Sequence, residues 1–241
     1  MKYILQKLFL LGIALFSYSS FAGSFSVTPV RIFFTPKDRA VAITLSNDGD
    51  TEIALQADIN AWSQDSKGND QLELTEDLIL APPSLKIPPN SKQVVRLALV
   101  TPRDASNQMI YRLVVREIPE VAAAKAGTIE LPVSLVMSMP VFVTPANAKN
   151  NVECISDTSN TVKISVTCSN KGNAYAQLRN ISLKRGETVF AVLEGANYLL
   201  PGATKQFVLS PEKGQNITPG ELELSVQFDD GKSQTYSAPS R

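Results

Sequence analysis

The chain contains no histidine. That removes the imidazole as general base, as activator of a nucleophile and as metal ligand, its commonest roles near neutral pH. Cysteine is nearly absent as well, with Cys154 and Cys168 the only two. Without histidine, that pair lacks the further ligands a metal site would need. The charges cancel, with 23 basic and 23 acidic side chains, and no basic tract interrupts the sequence. This speaks against a nucleic-acid partner. No Lys-rich amphipathic stretch offers itself to a membrane surface. A G-x-S-x-G turn, a P-loop and a Gly-rich dinucleotide turn are all missing. The reading is therefore of a protein that is not an enzyme, with no small-molecule substrate, no cofactor and no metal.

Long apolar runs are also scarce, and the one that stands out comes first. Lys2 and Lys7 lead into Leu8 to Phe16, which only Gly12 interrupts. Ser20-Phe21-Ala22 then puts small residues where a signal peptidase reads. Residues 1–22 read as a secretory signal, with cleavage expected after Ala22. The competing reading is a retained anchor. The run is shorter than the ~18 apolar residues that spanning needs, and no later segment approaches that length. The mature chain is thus expected to be exported and not membrane-embedded. In an oxidising compartment Cys154 and Cys168 are expected to form a disulfide. Closing a loop of about 15 residues stabilises by on the order of 3 kcal/mol in the chain-entropy model.

What the chain does have is alternation. Val41 to Leu45 and Ile53 to Ile59 read with period two, and Val94 to Val100 and Tyr111 to Ile118 are rich in β-formers. Turn signals separate them: Asn47-Asp48-Gly49-Asp50, Lys67-Gly68-Asn69-Asp70 and Pro88-Pro89-Asn90. Short strands spaced by such turns predict an all-β sandwich. Val121 to Ala126 is the one weak helical candidate and is better read as a hairpin loop. The polar run Asn147, Lys149, Asn150, Asn151 marks a domain boundary, and shorter strands and turns then suggest a second small sandwich. The length after the signal suits two sandwiches of roughly 100 residues each. Glu73, Glu76 and Asp77 read as a solvated loop, and Asp229-Asp230 as a solvated hairpin end. Trp62, the only tryptophan, reads as core.

The stretch Thr128 to Thr144 is unusual. Its odd positions, Ile129, Leu131, Val133, Leu135, Met137, Met139, Val141 and Val143, are all apolar. Strands usually run about 3–10 residues, so this one exceeds what one sandwich sheet needs. Pro132 and Pro140 cannot donate to a ladder, which suits an edge or a bulge.

The strings "FSVTPVRIFF", "TLSNDGDTEIALQADINAW", "LILAPPSLKIPPNSKQVVRLAL", "YRLVVREIP" and "MPVFVTPA" occur in that order. In this the chain resembles the PapD-like periplasmic chaperones of chaperone–usher pilus assembly. The match covers the first domain, and the second agrees in size and β-character. The resemblance implies two immunoglobulin-like β-sandwiches set at an angle with a cleft between them, at residues 23–146 and 147–241. It implies a periplasmic protein that binds pilus subunits, completes their unfinished sandwich with its own long strand, and delivers them to an outer-membrane usher. Ile129, Leu131, Val133, Leu135, Met137 and Met139 would be the donor strand. Arg31 in "TPVRIFF" matches the arginine that grips the subunit's terminal carboxylate. The family's second anchor, a lysine late in the long strand, is here Pro140. Gln108 and Thr144 stand where the family carries an acid and an arginine. These departures resemble a divergent, archaic-type branch. The family's register would bring Arg112 opposite Pro140, making Arg112 a candidate replacement and Arg96 another. The competing functions are a pilus subunit and a secreted adhesin-type binding module. A subunit should carry a free alternating strand at its N-terminus, whereas here that strand is internal.

Overall fold

The computed structural model describes residues 25–119, 134–158, 164–212 and 220–240. The first half contributes β1 (Phe25–Thr28), β2 (Ile32–Phe34), β3 (Ala40–Asn47), β4 (Ile53–Gln64), β5 (Asp70–Leu74), β6 (Leu78–Ala81), β7 (Ser84–Ile87), β8 (Ser91–Leu99), β9 (Met109–Ile118) and β10 (Val136–Val143). The second contributes β11 (Val152–Asp157), β12 (Ile164–Asn170), β13 (Ala176–Arg185), β14 (Thr188–Leu199), β15 (Thr204–Pro211), β16 (Gly220–Phe228) and β17 (Ser233–Ser240). The predicted signal, the predicted loop at Val121 to Ala126, and Ile129, Leu131, Pro132 and Val133 lie outside the described residues.

Two sheets form the first half. One has the order β1-β3-β8-β6, and the other runs β2-β10-β9-β4-β5 with β7 also on β4. Period two explains how they face each other. Val95, Leu97 and Leu99 of β8 are buried, as are Tyr111, Leu113 and Val115 of β9 and Val141 and Val143 of β10. With Phe34, Ile43 and Leu45 they make one core. Each such side chain, fully buried, contributes roughly 1.5–3 kcal/mol. The chain crosses between the sheets from Thr28 to Ile32, so Arg31 sits at the crossover.

The second half forms a seven-stranded arrangement, β11-β12-β15-β14-β13-β16-β17. Its core gathers Ile164, Val166, Leu178, Ile181, Leu183, Leu224 and Val226. Cys154 lies directly opposite Cys168, and the two are bridged.

The halves are packed together. Trp62, Ile110 and Phe142 of the first half join the second half's core. Gln64 bridges the seam twice, its amide donating to the Tyr198 carbonyl at 3.1 Å and its carbonyl accepting from the Leu200 amide at 3.0 Å. Gly68 turns the β4–β5 hairpin at φ 77° and lies so close to Lys205 that a Cβ would come within 2.6 Å of that side chain. Both the left-handed turn and the close approach call for glycine.

Gln108 is a second rivet. Its backbone N–H donates to the Asn173 carbonyl at 2.9 Å, its side-chain amide to the Thr144 hydroxyl at 3.0 Å, and its side-chain carbonyl accepts from the Tyr175 N–H at 2.9 Å. A neutral hydrogen-bond chain thus occupies the position where an ion pair would be expected from the family resemblance. Two acidic readings are corrected. Asp77 is not merely solvated, because it accepts the hydroxyl of buried Tyr111 at 2.9 Å. Burial pushes that phenol's pKa up, and Asp77 adds to the rise. Asp229 is no free hairpin end either, since it pairs with Arg31.

Candidate functional site

Several strands end their sheets, and β10 too lacks a neighbour on one side over part of its length. β10 pairs with β9 along its full length, from Val136 opposite Arg116 to Val143 opposite Met109. On its other side β2 covers only Val141, Phe142 and Val143. Among the described residues no strand pairs with Val136 to Pro140 on that side.

The direction of each peptide group follows from two hydrogen bonds. The Glu117 N–H donates to the Leu135 carbonyl at 3.0 Å, so Leu135 faces β9. The Thr144 N–H donates to the Phe34 carbonyl at 3.0 Å, so Thr144 faces β2. Along a strand the peptide groups alternate sides. Val136, Ser138 and Pro140 therefore turn their backbones to the open side. Val136 and Ser138 each present an N–H and a C=O there, whereas Pro140 has no N–H to present.

The side chains divide along the same strand. Met139 is 3% exposed and belongs to the first half's core. Its assignment to a donor face is corrected: the opposing sheet already covers it. Leu135 and Met137 are only partly buried against that core. On the other face Val136 is 57% exposed.

The open edge leads into the cleft between the halves. Ile32 pairs with Val141, so Arg31, one residue earlier, stands at the level of Pro140. Its Nη1 donates to Asp229 Oδ2 at 2.6 Å and to Gln177 Oε1 at 3.2 Å. The hydrogen bond to Asp229 raises the Arg31 pKa further, so the group is a permanent cation. Tyr175 also donates to Asp229 Oδ2, at 3.3 Å, and burial pushes its phenol up to about 12. Tyr198 also lies within reach of the Arg31 guanidinium, whose side chain is 39% exposed.

Arg112 lies directly opposite Pro140, as the register implied by the resemblance leads one to expect. Its guanidinium rests 3.7 Å above the Trp62 ring and 5.6 Å from Tyr198. Asp70 is 4.0 Å away. Burial lowers its pKa, opposed by Asp70, without threatening its charge. Aromatic rings form the floor: Phe142 stacks on Tyr175 at 4.0 Å between centroids and on Phe33 at 5.3 Å. Arg96 is elsewhere. It is exposed on β8, between inward-facing Val95 and Leu97, on the outer face of the opposite sheet. Its candidacy as an anchor is withdrawn on that ground.

Sequence reasoning missed Asp229, Gln177, Tyr175 and Tyr198, because nothing local signals a partner on a distant strand. An unpaired strand edge thus ends beside cationic and aromatic side chains. Comparison with known proteins identifies the class further. Residues 24–149 match the family model for the pili and flagellar-assembly chaperone, PapD N-terminal domain. The chain belongs to this family. Chaperone protein LpfB of Salmonella typhimurium is 26% identical over 144 residues, 58% of each chain. The probable fimbrial chaperone LpfB of Escherichia coli O157:H7 is 24% identical over 150 residues, 61% of this chain and 62% of that one. The chain thus spans about three-fifths of the length of the curated relatives it matches. Among solved structures, a chain of the CsuC–CsuE chaperone–tip adhesion subunit pre-assembly complex, from the archaic chaperone-usher Csu pili of Acinetobacter baumannii, superposes with a TM-score of 0.64. That match has 20% identity and covers 90% of this chain and 99% of the other. The CupB2 chaperone of Pseudomonas aeruginosa gives 0.57 at 19% identity, covering 90% and 100%. These similarities show the fold, two immunoglobulin-like β-sandwiches.

Proposed function

We propose that the protein is a periplasmic chaperone that holds pilus subunits by lending them the open edge of β10. The observation that carries this reading is the run of unpaired backbone at Val136 to Pro140 leading straight to Arg31. An exposed strand edge is a template for another chain, and strand addition uses it for recognition. A client strand would occupy the place that β2 leaves vacant. Running in the direction of β2, parallel to β10, it would bring its C-terminus to Arg31. The planar fork of a guanidinium suits both oxygens of a carboxylate. Arg112 would add positive potential from the cleft wall.

The side chains of Ile129, Leu131, Val133, Leu135 and Met137 would enter the client's unfinished core. Methionine is adaptable enough to serve varied clients. Residues 1–22 would direct export, residues 23–146 would form the binding domain, and residues 147–241 would close the cleft. The outer-membrane usher would then take over the complex. No covalent step is involved, so the protein needs no catalytic group.

Arg31→Ala tests the reading. Losing a charge-assisted contact in a desolvated cleft costs about 2–5 kcal/mol of binding. Co-purification of a pilus subunit from periplasm should therefore fall at least tenfold, while the chaperone's melting remains cooperative. Full subunit yield with this variant would contradict the assignment.

A further inference from the structure

We infer that Arg39 and Arg103 form a second binding site, for a phosphate-class oxyanion, where β3 begins and β8 ends. It shares no residue with the cleft and does not depend on the strand-addition reading.

The observation that carries this is a buried cation without an acceptor. Both terminal nitrogens of Arg103 are buried and find no hydrogen-bond partner among the described residues. An orphaned donor inside a protein is rare and costly, and more so when it bears charge. An arginine cannot escape that cost by losing its proton. The neighbouring acids are engaged elsewhere. Asp38 Oδ2 accepts the Thr35 N–H at 2.8 Å. Hydrogen bonds from Thr35 lower the Asp38 carboxyl pKa most, and the charge of Arg103 lowers it least. Asp104 accepts the Ser106 and Asn107 N–H groups at 2.7 and 3.0 Å, and the Asn107 side-chain amide at 3.2 Å. Asp77 takes the Tyr111 hydroxyl. None of the three accepts from the orphaned nitrogens.

The backbone builds a recess beside them. Ala40 is opposite Ala98, and the Leu99 N–H donates to the Arg39 carbonyl at 3.0 Å. The turn before β3 and the segment after β8 therefore converge. The Val100 and Thr101 N–H groups both donate to the Asp77 carbonyl, at 2.9 and 3.3 Å, which fixes that segment. Pro36, Arg39, Leu99, Thr101, Pro102 and Arg103 are among the residues lining a pocket of about 400 Å³ there. Arg103 is half-buried and Arg39 is exposed, so the long Arg39 side chain can move to admit a ligand.

Two guanidinium groups at one recess repel each other, and an anion between them offsets that repulsion. Each fork can hold two oxygens. A carboxylate has oxygens for one fork, whereas a phosphate group has enough for both. The Thr101 hydroxyl can donate as well. The recess is larger than a phosphate group needs. Its walls of Pro36, Leu99 and Pro102 suit the apolar stem of a phosphate ester, whether soluble or the headgroup of a phospholipid.

Titration of the purified protein with inorganic phosphate, against chloride at matched ionic strength, tests this. Phosphate should raise the melting temperature saturably and shift the amide resonances of Thr101 and Arg103. Arg103→Met keeps a long stem and removes the charge. Its phosphate affinity should fall at least about tenfold, while melting in chloride stays the same or rises because the buried charge is gone. Arg39→Gln, at an exposed position, repeats the loss if Arg103→Met melts early. Sedimentation with phosphatidylglycerol vesicles separates the two sources. Vesicle binding that requires Arg103 assigns a lipid headgroup, and no vesicle binding with phosphate still saturating assigns a soluble phosphate. No phosphate response, or an equal response in the wild type and both variants, would overturn the site.

Discussion

The second half ends its sheet at β11, which pairs with β12 from Val152 to Asp157 and is bridged to it through Cys154 and Cys168. The first half leaves β10 paired on one side only from Val136 to Pro140. Both strands run close to the surface, yet one is stapled and the other is kept available. An unpaired edge is a hazard that folded proteins usually cover. Here the covalent bond ties an edge strand of the second half to its neighbour, whereas β10 relies on packing alone. Stability and availability are thus assigned to different sandwiches, joined at a seam of aromatic rings and the Gln64 and Gln108 bridges.

The largest effect should come from testing where the apolar face of the long strand changes owner. Met139 is sealed in the first half's core, so Met139→Glu strands a charge there and should cost several kcal/mol, unfolding that sandwich. Val133→Glu should leave the melt cooperative and abolish subunit recovery. Thermal melting and co-purification on the two variants check the division. If Val133→Glu also unfolds the first half, the whole strand is ordinary core and no donor segment exists.

Next comes the staple. Replacing Cys154 and Cys168 together by alanine should lower stability by about 2–4 kcal/mol. Subunit recovery below the new melting temperature should remain. A urea titration followed in parallel with co-purification reads both. Loss of binding in a still-folded variant would mean that the two halves are not independent in the way described.

The smallest effect concerns the seam in alkali. Tyr175 is held protonated by burial and by Asp229, its pKa pushed up to about 12. In the unfolded chain it ionises near 10. A raised folded value means the contribution is complete below about 10 and fades as pH rises toward 12. Stability should fall across that window, with a late-ionising tyrosinate component that Tyr175→Phe lacks. Phenol ionisation at the ordinary pH in the folded protein would contradict the packed seam.

Much of the fold was readable because period two is a local signal. Val95, Leu97 and Leu99 alternate with outward residues whatever they pack against, and Pro140 advertised an edge. The Arg112–Pro140 pairing followed from the register that the family resemblance implies. What was not readable depended on distance or on a shared face. Asp229 meets Arg31 from 198 residues away, and no pattern near either predicts it. Asp77 similarly meets Tyr111 across 34 residues. Alternation told that Arg96 points outward but not from which sheet. Met139 and Leu131 both fall on the odd, apolar positions of the sequence, and an apolar residue reads the same whether its own core or a client's covers it.

The central claim is that Val136 and Ser138 hold their peptide groups free for another chain while their neighbours are engaged with β9. Amide hydrogen exchange, followed residue by residue with and without bound subunit, addresses it directly. The account predicts fast exchange at Val136 and Ser138 in the free protein, strong protection of both on subunit binding, and Met137 and Met139 protected throughout. Equal protection of all four in the free protein, or no change at Val136 and Ser138 in the complex, would contradict it.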